Sequence, residues 1–265
     1  MYTFDYIRPT SVAEAANALS SNPEARLLAG GQTLIPTLKQ RLASPAAIVD
    51  IGGIADLKTI KREGNALVIG ALVTHDTVAR SAEVKAAIPA LAHLADGIGD
   101  PQVRNTGTIG GSVANNDPAA DYPAAVLALG ATIVTNKRHI AADQYFTGMF
   151  STALEAGEIV TAVSFPVPKR AGYHKYAQRA SRYVLVGAFV AETAAGIRCA
   201  VNGCGANGVF RSAELEAALA KNFSADGLKG VSVPSSGLMG DMHGSADYRA
   251  AMVPVMAARA VAAAK

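Results

Sequence analysis

Two short junctions in this chain have the composition of an anion cradle. The first is Leu27-Leu28-Ala29-Gly30-Gly31-Gln32-Thr33 and the second Thr108-Ile109-Gly110-Gly111-Ser112. Each sets paired glycines after a hydrophobic stretch that reads as a strand, with a small hydroxyl residue just beyond. Glycine lets the backbone turn tightly and lets a ligand approach where a β-carbon would stand, so successive N–H groups can converge on one concavity. Each charge-assisted hydrogen bond to a phosphate oxygen is worth roughly 1.5–3 kcal/mol. Two such junctions meeting in space suit the paired charges of a dinucleotide pyrophosphate, and a side chain introduced at Gly110 is expected to exclude that ligand sterically. Taken singly, each junction reads equally as a structural turn. Neither matches G-x-G-x-x-G or G-x-x-x-x-G-K-[ST], so ordinary Rossmann and phosphate-loop readings lack support.

The residues after the second junction add polar partners. Asn115, Asn116, Asp117 and Asp121 offer amide donors and carboxylate acceptors, and a carboxylate is a natural acceptor for ribose hydroxyls. Capping of the helix in "YPAAVLAL" is the competing role for Asp121. No other grouping points to catalysis by this chain. His75, His93, His139 and His243 lack partners at useful spacing and read as surface or structural residues. Cys199 and Cys204, separated by four residues, are too few for a zinc or iron–sulfur site and close too short a loop for a useful disulfide. No metal is expected on this chain.

The elements that position these groups fall into blocks. Ser11 and Glu14 form a capping box before a helix with Val12, Ala15, Ala16 and Leu19 on one side. "ARLLAGGQT" then reads as a strand breaking at Gly30-Gly31, "LIPTLKQRL" as a helix begun near Pro36 and "AIVDI" as the next strand. A hairpin turning at Glu63-Gly64-Asn65 follows, then helical segments from about His75 to Asp96. "YPAAVLALGA" reads as a helix, with "ATIVT" and "EIVTAVSFPVP" as strands. Beyond Pro168 come three successive strands and two helices, an α+β order against the alternation upstream. "GVSVPSSGLMGDMHGSA" reads as a flexible excursion.

With 265 residues, half of them hydrophobic and 17% charged, the chain can bury a large core. No apolar run reaches the roughly 18 residues of a membrane span, and the start lacks a secretory signal pattern, so a cytoplasmic location is expected. A net charge of +3, with a most basic patch of only Lys137, Arg138 and His139, argues against nucleic acid as the ligand.

"LLAGGQTLIPTLKQRLASPAAIVDI" followed by "GDPQVRNTGTIGGSVANNDPAADYPAAVLALGA" resembles the FAD-binding medium subunit of the molybdenum hydroxylases, the family of carbon monoxide and xanthine dehydrogenases. "FDYIRPTSVAEA", "GALVTHDTVARS" and "DMHGSADYRAAMVPVMAARAV" extend the likeness to nearly the whole chain. The resemblance implies an α+β chain: two α/β FAD-binding subdomains of the PCMH-type flavin fold over 1–55 and 56–168, then a C-terminal domain over 169–265 with a small antiparallel sheet and helices. It implies noncovalent FAD, with the molybdenum cofactor and [2Fe-2S] clusters on a large and a small partner subunit assembled as a dimer of heterotrimers. Carried over by position, Leu28, Ala29, Gly30, Gly31, Gln32, Thr33 and Leu34 form one pyrophosphate loop. Thr108, Ile109, Gly110, Gly111 and Ser112 form the other, and Asn115 and Asp121 reach the ribose and pyrophosphate. Ile98 lies against the isoalloxazine ring, Ile159 or Val160 packs near it, Lys175 or His174 falls at its polar edge, and Tyr183 lies on a loop approaching it. Two other readings remain: a self-sufficient flavin oxidoreductase of the wider vanillyl-alcohol-oxidase-like fold, using Tyr173, Lys175, Tyr176, Arg179, Arg182 or Tyr183, and a nucleotide module without flavin.

Overall fold

The computed structural model describes every residue from Met1 to Lys265. The first sheet is parallel, with Ala47–Asp50 between Asp5–Ile7 and Arg26–Leu28. Helices Val12–Ser21 and Leu34–Lys39 make the crossovers that parallel pairing requires. The capping box forms as expected at Ser11, whose Oγ accepts from Glu14 N at 3.2 Å; the Glu14 carboxylate reaches back to Thr10 N at 2.7 Å rather than to Ser11.

The second sheet is antiparallel throughout, so this part of the chain is not the α/β unit expected. Its order is Ile60–Glu63, Ala66–Gly70, Val160–Pro166, Thr132–Thr135, His139–Ala141. The outer pairs are hairpins, and Val160–Pro166 returns from far along the chain to join them. The intervening helices His75–Arg80, Ala82–Ala87, Pro89–Asp96, Pro101–Thr106, Ile109–Asn115 and Tyr122–Ala128 bury the apolar side chains around Ile88, Leu91, Ile109 and Val126 against this sheet. Leu72 and Ile159, from the second region, pack in the core of the first beside Val49 and Ile51. The two sheets are thereby stitched together next to the first glycine junction.

The third sheet, Arg170–Ala177, Val184–Thr193, Gly196–Asn202 and Phe210–Arg211, is antiparallel. Helices Ala213–Lys221 and Ala246–Ala262 follow it, as the order of patterns predicts. The long helix approaches so closely that a β-carbon on Gly172 would lie 1.9 Å from Ala260 O. The excursion before it is irregular but tied down. Met239 N donates to Cys204 O at 2.8 Å, and buried Arg249 joins Asp241 at 2.7 Å to the carbonyls of Leu185 and Gly203. Cys199 and Cys204 are buried free thiols, their pKa values raised by desolvation. No helix is long and apolar enough to cross a membrane.

Candidate functional site

The two glycine junctions meet. A β-carbon on Gly30 would stand 2.1 Å from Thr106 O and 2.8 Å from Gly107 Cα, so only glycine permits this approach. The Gln32 side-chain amide also donates to Thr106 Oγ1. Between the junctions opens a cleft of about 850 Å³, within the range of small-molecule and cofactor sites.

The first junction runs from strand Arg26–Leu28 into helix Leu34–Lys39 through Gly31, whose φ of +71° is the left-handed conformation that glycine tolerates. The backbone N–H groups of Gly30, Gly31, Gln32 and Thr33 find no acceptor within the chain, and the Thr33 hydroxyl at the N-cap makes no capping bond. All four residues line the cleft. Consecutive donors left unpaired are costly unless a ligand or water takes them, and the helix dipole favours a negative charge there.

The second junction departs from expectation. It does not follow a strand: helix Pro101–Thr106 precedes it, and residues Ile109–Asn115 are themselves helical, with Thr108 as N-cap. The Thr108 hydroxyl accepts from Gly111 N at 3.2 Å. Ile109 N donates to Val73 O at 3.1 Å and Gly110 N to Ala71 O at 2.9 Å, so these amides are used to dock the helix. A β-carbon on Gly110 would meet Ala71 Cβ at 2.5 Å and Ala71 O at 2.7 Å. Gly110 therefore packs against Ala71 as well as lining the cleft, and a side chain there would disturb that packing first. Gly111 faces differently, its nearest neighbours being Thr108 Oγ1 at 3.0 Å and Ala29 Cβ at 3.9 Å across the cleft.

Of the residues carried over from the sequence, all but Leu28, Ile109, His174 and Lys175 line the cleft. Leu28 is a half-buried strand end and Ile109 is fully buried in the core. Asn115 lines the cleft, whereas Asn116 turns away: its Nδ2 donates to Gly148 O and Ser151 O, each at 2.8 Å. Asp117 Oδ1 accepts from Ala119 N at 2.9 Å, a turn role.

Asp121 stands at the N-cap of helix Tyr122–Ala128 but makes no capping bond. Its carboxylate, 5% exposed, accepts from Tyr173 Oη at 2.7 Å and pairs with Lys175 Nζ at 2.9 Å. Burial raises its pKa, with Lys175 and Tyr173 pulling the other way. The same ammonium donates to Gly97 O at 3.0 Å and Arg182 O at 2.8 Å. Lys175 thus stands behind the cleft and links Asp121 to the loops carrying Ile98 and Tyr183. Arg104 Nη1 donates to the carbonyls of Ile98 and Gly99, both at 3.0 Å, and Arg182 Nη1 to Gly99 O at 3.1 Å. Cationic side chains thereby clamp the loop that presents Ile98. Ile159 and Val160 line the cleft while keeping their places in the core, and Tyr183, 55% exposed, stands at the mouth.

Sequence reasoning reads His75 only as surface or structural and does not single out Arg104. His93, His139 and His243 are exposed, but His75 is buried and lines the cleft. Desolvation and the nearby Arg104 charge push its pKa down to about 4, leaving the ring neutral. A lone histidine in "VTHD" carries no local signal of this setting.

The arrangement is an apolar-walled cleft with one run of free amides, unspent hydroxyls at Thr33 and Ser112, and a buried carboxylate beyond them. It fits a dinucleotide whose pyrophosphate lies at the junctions. The family of the FAD binding domain in molybdopterin dehydrogenase matches residues 2–168. The chain is 36% identical to the carbon monoxide dehydrogenase medium chain of Afipia carboxidovorans, with 99% of this chain and 97% of that one covered. It is 35% identical to the nicotine 6-hydroxylase medium subunit of Paenarthrobacter nicotinovorans, covering 97% and 95%. In the solved structure of reconstituted CO dehydrogenase from Oligotropha carboxidovorans, a chain 34% identical superposes with a TM-score of 0.91, covering 99% and 97%.

Proposed function

The chain belongs to the family of FAD-binding domains of molybdopterin dehydrogenases, and on that premise we propose that it is the electron-transfer flavoprotein subunit of a heteromeric molybdenum hydroxylase. Electrons reach it from [2Fe-2S] clusters on a small partner subunit and leave to an external acceptor. The molybdenum cofactor and the substrate site belong to a large partner subunit, in a cytoplasmic dimer of heterotrimers. Residues 1–55 and 56–168 form the FAD-binding subdomains and 169–265 the C-terminal domain. The observation that carries the reading is the run of unpaired amides from Gly30 to Thr33, abutting the second junction in one cleft.

Bound FAD supplies the redox chemistry, accepting and releasing electrons at its ring system. The chain's residues bind and orient it. The amides of Gly30, Gly31, Gln32 and Thr33, with the Thr33 and Ser112 hydroxyls, hold the pyrophosphate without a covalent link. Asn115 and Asp121 take ribose or phosphate groups. Ile98, held by Arg104 and Arg182, and Ile159 with Val160 form the apolar wall for the ring, which limits water there. Lys175 fixes the Asp121 carboxylate and joins the two loops around the ring.

A self-sufficient oxidoreductase would need free proton-transfer groups beside the flavin. Tyr173 and Lys175 are committed to Asp121, and Arg182 to Gly99 O, so three of the six groups named for that reading are already spent on internal contacts. Isolation of the tagged chain from its own cells is expected to bring down a molybdenum-containing subunit and an iron–sulfur subunit in equal amounts. Recovery of the chain alone, with steady turnover of an organic substrate by it, would contradict the proposal.

A further inference from the structure

His75 lies against Gly107, just before the second glycine junction, and lines the cleft without an assigned role. Its backbone N donates to Gly107 O at 3.0 Å, and a β-carbon on Gly107 would lie only 2.7 Å from its Nε2. Gly30 in turn packs against Thr106 and Gly107. On its other side the ring meets Tyr122, centroids 5.3 Å apart. The imidazole therefore supports the contact between the two junctions.

Its nitrogens differ. Nδ1 is sealed from solvent and has no partner. No hydrogen bond within the chain reaches Nε2 either, and it is not among the sealed, unpartnered atoms. The residue keeps 5% exposure and lines the cleft. A neutral imidazole carries one proton. Placing it on Nδ1 would bury an N–H donor with no acceptor, the rarer and costlier defect; placing it on Nε2 leaves only a bare acceptor inside. The Arg104 guanidinium nearby opposes a second proton.

Resting on the reading of this cleft as an FAD site, we infer that His75 is a further cofactor-binding residue, donating from Nε2–H to an acceptor oxygen of the dinucleotide at the meeting point of the junctions. That oxygen belongs either to the pyrophosphate or to the ribityl-flavin half. The test is titration of the FAD-stripped full chain with FAD, ADP and FMN, following flavin fluorescence directly or by competition, for wild type and for His75→Gln, His75→Asn and His75→Phe. The glutamine amide can stand in for Nε2, whereas the asparagine amide stops short of it. His75→Gln is expected to stay within about threefold of wild type, and His75→Asn and His75→Phe to weaken FAD binding about tenfold or more. A loss shared by ADP places the acceptor on the pyrophosphate; a loss shared by FMN but not ADP places it on the flavin half. Undiminished FAD affinity in a folded His75→Phe protein overturns the inference, as do equal affinities of the glutamine and asparagine variants should the phenylalanine variant not fold. Failure of wild type to bind FAD overturns the reading of the cleft itself, a separate outcome.

Discussion

Replacing Gly111 with valine is expected to leave the protein folded and strip it of FAD. The new side chain starts in the first turn of helix Ile109–Asn115, where valine is no worse a helix former than glycine. Its β-carbon needs only a shift of a few tenths of an ångström by the Thr108 hydroxyl, because the next neighbour is Ala29 Cβ at 3.9 Å. Its methyl groups then stand in the cleft between the junctions, where the proposed FAD site has its pyrophosphate. FAD affinity should fall by on the order of 100-fold or more, about 2.7 kcal/mol, with an unchanged circular dichroism spectrum. Gly110→Val provides the contrast. There the side chain meets the Ala71 backbone at 2.7–2.8 Å, overpacking that costs roughly 1–3 kcal/mol or more, so this variant should show its defect first as lost stability. If Gly111→Val retained FAD while Gly110→Val lost it without destabilisation, the two glycines would have been assigned the wrong way round.

Removing the Asp121 carboxylate should produce the largest stability loss in the cleft. Asp121→Ala leaves the Lys175 ammonium, itself only 10% exposed, without its counter-charge, and leaves the buried Tyr173 hydroxyl short of its acceptor. Breaking a buried pair from one side costs about 3–5 kcal/mol, which for a chain of this size lowers the melting temperature by on the order of 10 °C. Because Lys175 also fastens Gly97 O and Arg182 O, FAD affinity should fall as well. The double variant Asp121→Leu with Lys175→Met should recover much of the stability, since no unpaired charge stays buried, yet remain poor in FAD. Thermal melts and FAD titrations of Asp121→Leu, Lys175→Met and the double variant that combines them measure the coupling. Additive losses would show that the pair does not act as a unit.

The glycine junctions were legible in the sequence because permissive residues are informative where the backbone must pass close to something. The helical state of Ile109–Asn115 was not. Its paired glycines disfavour a helix, and docking of Ile109 N and Gly110 N onto the carbonyls of Val73 and Ala71 supplies the missing stabilisation. The second sheet was misread for a related reason. Val160–Pro166 enters it from a distance, between Ala66–Gly70 and Thr132–Thr135, and no local pattern records which strands a segment will join. Asp121 shows how far spacing reaches. The sequence marked it as a carboxylate beyond the second junction, but its partners Tyr173 and Lys175 lie 52 and 54 residues away and only the fold unites them. His75 acquires its setting from Gly107 and Tyr122, brought to it by other elements, and Arg104 from the turn just before its own helix, whose carbonyls it reaches only because the chain folds back there.

The most direct test of the account is the flavin content of the purified full chain. The chain should emerge yellow, or turn yellow on incubation with FAD, at one FAD per polypeptide. Acid precipitation should then release all of the flavin into the supernatant as intact FAD. A folded, colourless chain that takes up no FAD would contradict the central claim, and flavin remaining with the precipitated protein would contradict the noncovalent cradle built from Gly30 to Thr33.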